Sequence, residues 1–60
     1  MNNKARSKAD AAFAEAYRQV YHEAAKHGLI LDADMQRVRT AANAAGRKAY
    51  REALEQEDTP

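Results

Sequence analysis

The chain has 60 residues, a net charge of +1 at neutral pH and no cysteine. So short a chain forms one domain at most and buries only about 60% of its unfolded surface, which leaves its stability marginal. Without cysteine, neither a disulfide nor a thiolate metal site can add to that stability. No segment has the roughly 20 apolar residues of a membrane span, and the first residues lack the apolar core of a signal peptide. We therefore expect a cytoplasmic, all-helical protein.

The first half of the chain predicts an amphipathic helix. Residues Met1 to Arg6 are polar and basic, and we expect them to fray, as we do the last residues of the chain. The segment Ser7 to Asp10 has the pattern of a capping box, with Asp in place of Glu, so the predicted helix runs from about residue 8 to about 27. At about 100° per residue, one stripe of it is apolar. The members of that stripe are Ala9, Phe13, Ala16, Tyr17, Val20 and Ala24.

The middle of the chain predicts a tight turn over residues 28–32. Gly28 is expected to end the first helix, because glycine adopts the left-handed conformation at low steric cost. Asp32 is expected to begin the second, because its carboxylate can accept free N–H groups of the first turn. The second helix is then predicted over about 33–56. The segment between the helices can only reverse the chain, so the two helices form an antiparallel hairpin.

The apolar face of the second helix consists mostly of small residues. Gly46 borders this face, and a glycine inside a helix costs about 1 kcal/mol relative to alanine. We interpret it as the place where the first helix comes close, with Phe13 and Tyr17 packed in the core opposite the Ala42–Ala49 region. The face comprises Met35, Val38, Ala42, Ala45, Ala49 and Ala53.

A lone hairpin cannot cover all of its apolar residues. Leu29, Ile30, Leu31 and Tyr50 are among those left over. Two hairpins related by a twofold axis would form a four-helix bundle and cover them, so we predict a homodimer. The alternative is a marginal monomer that folds fully only on a partner.

The residue types that carry catalysis are present without the spacing it needs. His22 and His27 are five residues apart, about 140° round a helix, so one zinc ion could not bind both without distortion. Asp32 and Asp34 lie where capping carboxylates are expected. No glycine-rich phosphate loop occurs, and no hydroxyl has an obvious base beside it. We predict a protein that is not an enzyme and that has no metal or cofactor.

The second helix carries a basic stripe. Between Met35 and Arg51 there are five cationic residues and no acidic one. Such a stripe can contact phosphates, dock an acidic protein, or be a solvated face. Tyr50, at its edge, could stack on a base or cover the flank of the bundle. The candidate binding residues are Arg37, Arg47, Lys48, Arg51, Tyr50 and Asn43.

The turn and second helix contain Leu31-Asp32-Ala33-Asp34, then Gln36, Tyr50-Arg51 and Leu54. Through these residues about half the chain resembles the Rop family, plasmid copy-number regulators that bind paired RNA loops as dimeric four-helix bundles. The resemblance implies a homodimeric bundle and a nucleic-acid partner. That family binds RNA through polar residues and a Phe on its first helices. Phe13, the one possible counterpart, lies at a different distance from the turn, and we assign it to the core.

Two functions from different classes follow from these observations. The first is a small dimeric regulator that binds RNA or DNA through the basic face of the second helix. The second is a protein-interaction module, such as a plasmid- or phage-type inhibitor that docks on a larger partner. A purely structural dimer is a third interpretation.

Overall fold

The computed structural model describes residues 3–57, which form two antiparallel α-helices joined by a short turn. The first helix, α1, spans Asn3–Ala25, and the second, α2, spans Asp32–Glu57. The predicted all-α helical hairpin is confirmed. The fraying expected of Met1, Asn2 and 58–60 concerns residues outside the described range. Neither α1 nor α2 contains a stretch that combines the length and the apolar character needed to cross a membrane.

Helix α1 begins earlier than the sequence indicates. It starts at Asn3, so Ser7 lies inside the helix and the predicted capping box at Ser7–Asp10 is wrong. Residues 3–6, which we expected to fray, are helical. The physical reason is a tertiary contact. Ala5 is fully buried and lines a depression together with Ala53 of α2. Packing against α2 stabilises a first turn that no local signal marks, because most helix stability in proteins comes from packing.

The chain leaves α1 at Ala25, two residues before the predicted end. Lys26 and His27 belong to the turn, where backbone N–H groups donate to carbonyl oxygens three residues back. The last of these bonds, from Gly28 N to the Ala25 oxygen, measures 2.9 Å. Gly28 has φ = 93°, in the left-handed region. The predicted left-handed conformation of Gly28 is confirmed, although the residue lies three positions past the helix end, and this conformation is strained for any residue with a Cβ.

The start of α2 is capped by a different carboxylate from the one predicted. The first helical bond runs from Met35 N to the Leu31 oxygen at 3.1 Å, which makes Leu31 the capping residue. The Leu31 N–H in turn donates to Oδ2 of Asp34 at 3.1 Å. A side chain at the third helical position is the one that reaches back to the N–H of the capping residue. The capping role assigned to Asp32 therefore belongs to Asp34.

The two helices pack through a narrow seam of small residues. A Cβ placed on Gly46 would lie 3.4 Å from the carbonyl oxygen of Ala9 and 3.5 Å from Cβ of Phe13. The backbones thus approach closely at this point, which agrees with the prediction that Gly46 faces the first helix. Among the described residues, the buried apolar side chains are Ala5, Ala24, Val38, Ala42 and Ala53.

The core positions predicted for Phe13 and Tyr17 are wrong. Phe13 is 36% exposed and Tyr17 is half-buried, so both lie on the flank of the seam. Ala45, expected opposite them, instead lines a depression with Ala12 and Ala16 on the other side of the hairpin. Helices in such close contact leave no room for an aromatic ring between them, and the rings turn outward.

Candidate functional surfaces

Three of the predicted binding residues form an exposed cationic group on α2. We call Arg47, Lys48 and Arg51 the basic cluster. All three side chains are exposed, and none of them takes part in an ion pair among the described residues. They lie within five consecutive residues, about 6 Å along the helix axis at 1.5 Å per residue. This spacing lets them act on one segment of a polyanion.

Arg37, also predicted to bind, is not part of this group. Its guanidinium donates to Oδ1 of Asp34 at 2.6 Å, and that carboxylate is largely covered. Arg37 also lies ten residues before Arg47, about 15 Å along the helix. Its charge is thus partly neutralised, and its observed role is to support the capping group at the start of α2.

Asn43 and Tyr50 lie on a different side of α2 from most of the basic cluster. Together with Arg47 they line an open depression of about 500 Å³ whose other wall is formed by α1, at Asp10 and Phe13. Gly46 and Ala9 complete its lining. The structure therefore divides five of the six predicted residues between two surfaces, with Arg47 at the border between them, and places Arg37 apart from both.

The side of the hairpin that carries this depression also carries an aromatic strip, which we define as Phe13, Tyr17, Tyr21 and Tyr50. The rings of Phe13 and Tyr17 stack with centroids 6.2 Å apart and planes 26° apart. Those of Tyr17 and Tyr21 are 6.3 Å apart at 10°. Tyr21 and Tyr50 are 41% and 40% exposed. The strip contains every Phe and Tyr residue of the chain.

Sequence reasoning missed the strip as a unit, although the spacing contains its signal. Residues four apart on a helix advance by about 40°, so Phe13, Tyr17 and Tyr21 wind steadily away from the seam. Stacking between neighbours at this spacing holds the three rings in one row. Our assignment of the first two to the core considered each ring separately.

The opposite side of the hairpin, near the turn, holds a second depression of about 680 Å³. His22, His27 and Arg37 line it together with Gln19 and Glu23. Glu23 is paired with Lys26 at 3.2 Å, and Arg37 is paired with Asp34. Within the described part of the chain, no group of three or more His, Cys, Asp or Glu side chains is arranged to hold a metal ion.

No protein family, curated protein or solved structure matches this chain in comparisons with known proteins. The residues and surfaces described above are therefore the basis for the functional proposals.

Proposed function

We propose that this protein is a small, non-enzymatic, cytoplasmic regulator that acts as a homodimeric four-helix bundle and binds RNA or DNA through the basic cluster. The observation that carries the proposal is the cluster itself, three exposed cations without an ion-pair partner among the described residues. Salt bridges between helix neighbours reduce the charge that Arg18, Lys26 and Arg37 present. No such pair involves the basic cluster among the described residues.

Dimerisation is supported by the small size of the core. The buried apolar side chains of the described residues are four alanines and one valine. A hydrophobic core of this size contributes little against the conformational entropy of ordering the chain. At the same time Leu29 and Leu31 are 74% and 56% exposed. Association of two hairpins would cover apolar surface that a single copy leaves in water, and the resemblance to Rop-type regulators suggests the same assembly.

Phosphate is the ligand that the basic cluster fits best. Lysine and arginine side chains neutralise phosphates and release condensed counterions, which supplies most of the affinity in non-specific nucleic-acid binding. Contacts of this kind position a protein on the backbone and carry no sequence information. The cluster therefore accounts for affinity, and any preference for an RNA or DNA shape would come from how two clusters are spaced in the dimer.

The experiment is a titration of labelled RNA hairpins and duplex DNA at two salt concentrations. The variant Lys48→Glu, Arg51→Glu is compared with wild type and with a control, Lys4→Glu, Lys8→Glu. The control makes the same change in net charge on α1. For each phosphate contact the slope of log affinity against log salt is about 0.9 on a duplex. We expect the α2 variant to bind more weakly and with a smaller dependence on salt concentration. The control should keep most of the affinity and of the salt dependence.

Equal losses in the two variants would show that net charge rather than the basic cluster governs binding. Absence of binding by wild type at low salt would refute the nucleic-acid proposal. The protein-interaction module then takes its place, favoured by the exposed Tyr50, because aromatic anchors dominate protein interfaces. A partner of that kind would be retained after nuclease treatment of a host lysate and lost with Tyr50→Ala.

A further inference from the structure

The aromatic strip belongs to a surface larger than a single hairpin of this mass should expose. The chain has an accessible surface of 4798 Å² and extents of 49 × 16 × 14 Å. A compact monomer of 6.7 kDa would expose about 3900 Å². The difference, about 900 Å², is close to the roughly 800 Å² that each partner buries in a standard protein interface. An elongated two-helix hairpin thus exposes an excess about as large as the area that one partner molecule covers.

We infer that the aromatic strip is the dimer interface, and that a second copy lies on it with its turn at the same end of the bundle. This inference deepens the dimeric part of the proposed function and is independent of nucleic-acid binding. Aromatic side chains carry the largest apolar area per residue and are the commonest anchors of interfaces. The opposite side of the hairpin offers small and charged groups instead, at Ala12, Glu15 and Ala45.

The orientation of the second copy depends on which residues of the two helices lie at the same level, that is, at the same height along the hairpin axis. Gly46 is level with the turn of α1 between Ala9 and Phe13. Because the helices are antiparallel, Arg39 is then level with the segment between Tyr17 and Tyr21. Arg39 is seven residues before Gly46 and eleven before Tyr50, within about 20° of both round the helix, so it lies on the side of the strip.

A twofold axis parallel to the helices places α1 of one copy on α2 of the other at the same level. Tyr17 and Tyr21 then meet Arg39 of the second copy, an aromatic–guanidinium contact. Asp10 meets Arg47, its opposite charge. Within one hairpin Asp10 and Arg47 line the same depression without forming an ion pair.

The other closed arrangement has its twofold axis across the helices and the turns at opposite ends. It stacks α2 on α2 in reverse order, which brings Arg39 within about one turn of Arg47 of the second copy. Like charges at an interface disfavour that arrangement. Leu29 and Leu31 are highly exposed in one hairpin. The arrangement with both turns at the same end brings these residues of the two copies together there.

The test uses two charge reversals, Asp10→Arg and Arg47→Asp, separately and as an equimolar mixture. Within either variant dimer, both intermolecular pairs become repulsive, so we expect its dissociation constant to rise about tenfold. In the mixed dimer both intermolecular pairs are again attractive, although each chain keeps its own unfavourable intramolecular charges. Sedimentation and circular dichroism of the mixture should therefore show wild-type association and helicity. The readout remains valid if a single variant alone fails to fold.

A second pair of variants checks the strip itself. Tyr21→Glu and Gln19→Glu each add one negative charge on α1, two residues apart and on opposite sides of the hairpin. We expect Tyr21→Glu to weaken dimerisation at least about tenfold and Gln19→Glu to leave it nearly unchanged. All these measurements are made without nucleic acid, so they remain valid if the titration with RNA hairpins and duplex DNA shows no binding.

Three outcomes would overturn the inference. The first is a wild-type monomer with full helicity at all accessible concentrations. The second is a mixture that associates no better than its separate components, which would place Asp10 and Arg47 apart in the dimer. The third is a dimer unaffected by Tyr21→Glu.

Discussion

Replacement of Gly46 by alanine should stabilise the protein, although Gly46 lies at the closest approach of the two helices. The added Cβ would meet the Ala9 carbonyl oxygen at 3.4 Å, Phe13 Cβ at 3.5 Å and Phe13 Cδ2 at 3.8 Å, all ordinary van der Waals contacts. A methyl group therefore fits without displacing α1. Alanine is also favoured over glycine inside a helix by about 0.5–1 kcal/mol. For a domain of this size that gain raises the melting temperature by roughly 2–8 °C.

The assay is thermal unfolding followed by circular dichroism at one fixed protein concentration, because the melting temperature of a dimer depends on concentration. Gly46→Val is the matched comparison. Its two γ-methyl groups extend beyond the methyl that fits and must press against Ala9 and Phe13, so we expect a loss of about 1–3 kcal/mol. A fall in melting temperature for Gly46→Ala would refute the reasoning. It would mean that the helices approach more closely than the observed distances, or that a second copy occupies the space above Gly46.

Two further substitutions test the turn and the start of α2. Gly28→Val should cost about 1–2 kcal/mol and Gly28→Asn less, because φ is 93° and no atom lies within 4 Å of a Cβ there, so the penalty is purely that of the backbone. Equal melting temperatures for wild type and both variants would contradict this. Asp34→Ala should cost about 1 kcal/mol, since it removes the acceptor of the Leu31 N–H and the partner of Arg37. Asp32→Ala should cost only a few tenths of a kcal/mol, because it loses only the interaction with the helix dipole. If urea unfolding showed Asp32→Ala to be the more destabilising change, the capping role would belong to Asp32.

The two helices and the break between them were predictable from the sequence because their signals are local. Runs rich in alanine and other good helix formers, interrupted only at Gly28 and the segment after it, suffice to define a hairpin. The basic character of residues 35–51 was equally visible. These features depend on composition and on neighbours a few positions away, and the fold preserves them.

Which face of each helix packs against the other helix was decided only by the tertiary structure. Periodicity places a residue on a helix surface only to within some tens of degrees, and Phe13 and Tyr17 lie close enough to the alanine stripe to be assigned to it. Close approach of the backbones at Gly46 excludes the rings from the seam and turns them into the aromatic strip. Asn43 and Tyr50 are separated from Lys48 and Arg51 by their positions round α2, and the tertiary structure decides that α1 lies beside Asn43 and Tyr50.

The other two differences between prediction and structure are the start of α1 and the capping of α2. The first depends on a contact between residues distant in sequence, and the second on the direction of one side chain. Ala5 joins α1 because it is covered near Ala53, a residue 48 positions away. Asp34 rather than Asp32 caps α2 because only the side chain at the third helical position points back to the Leu31 N–H. The sequence by itself determines two helices, a turn and a cationic stretch. Which surfaces those helices present is determined by how closely their small residues allow them to pack.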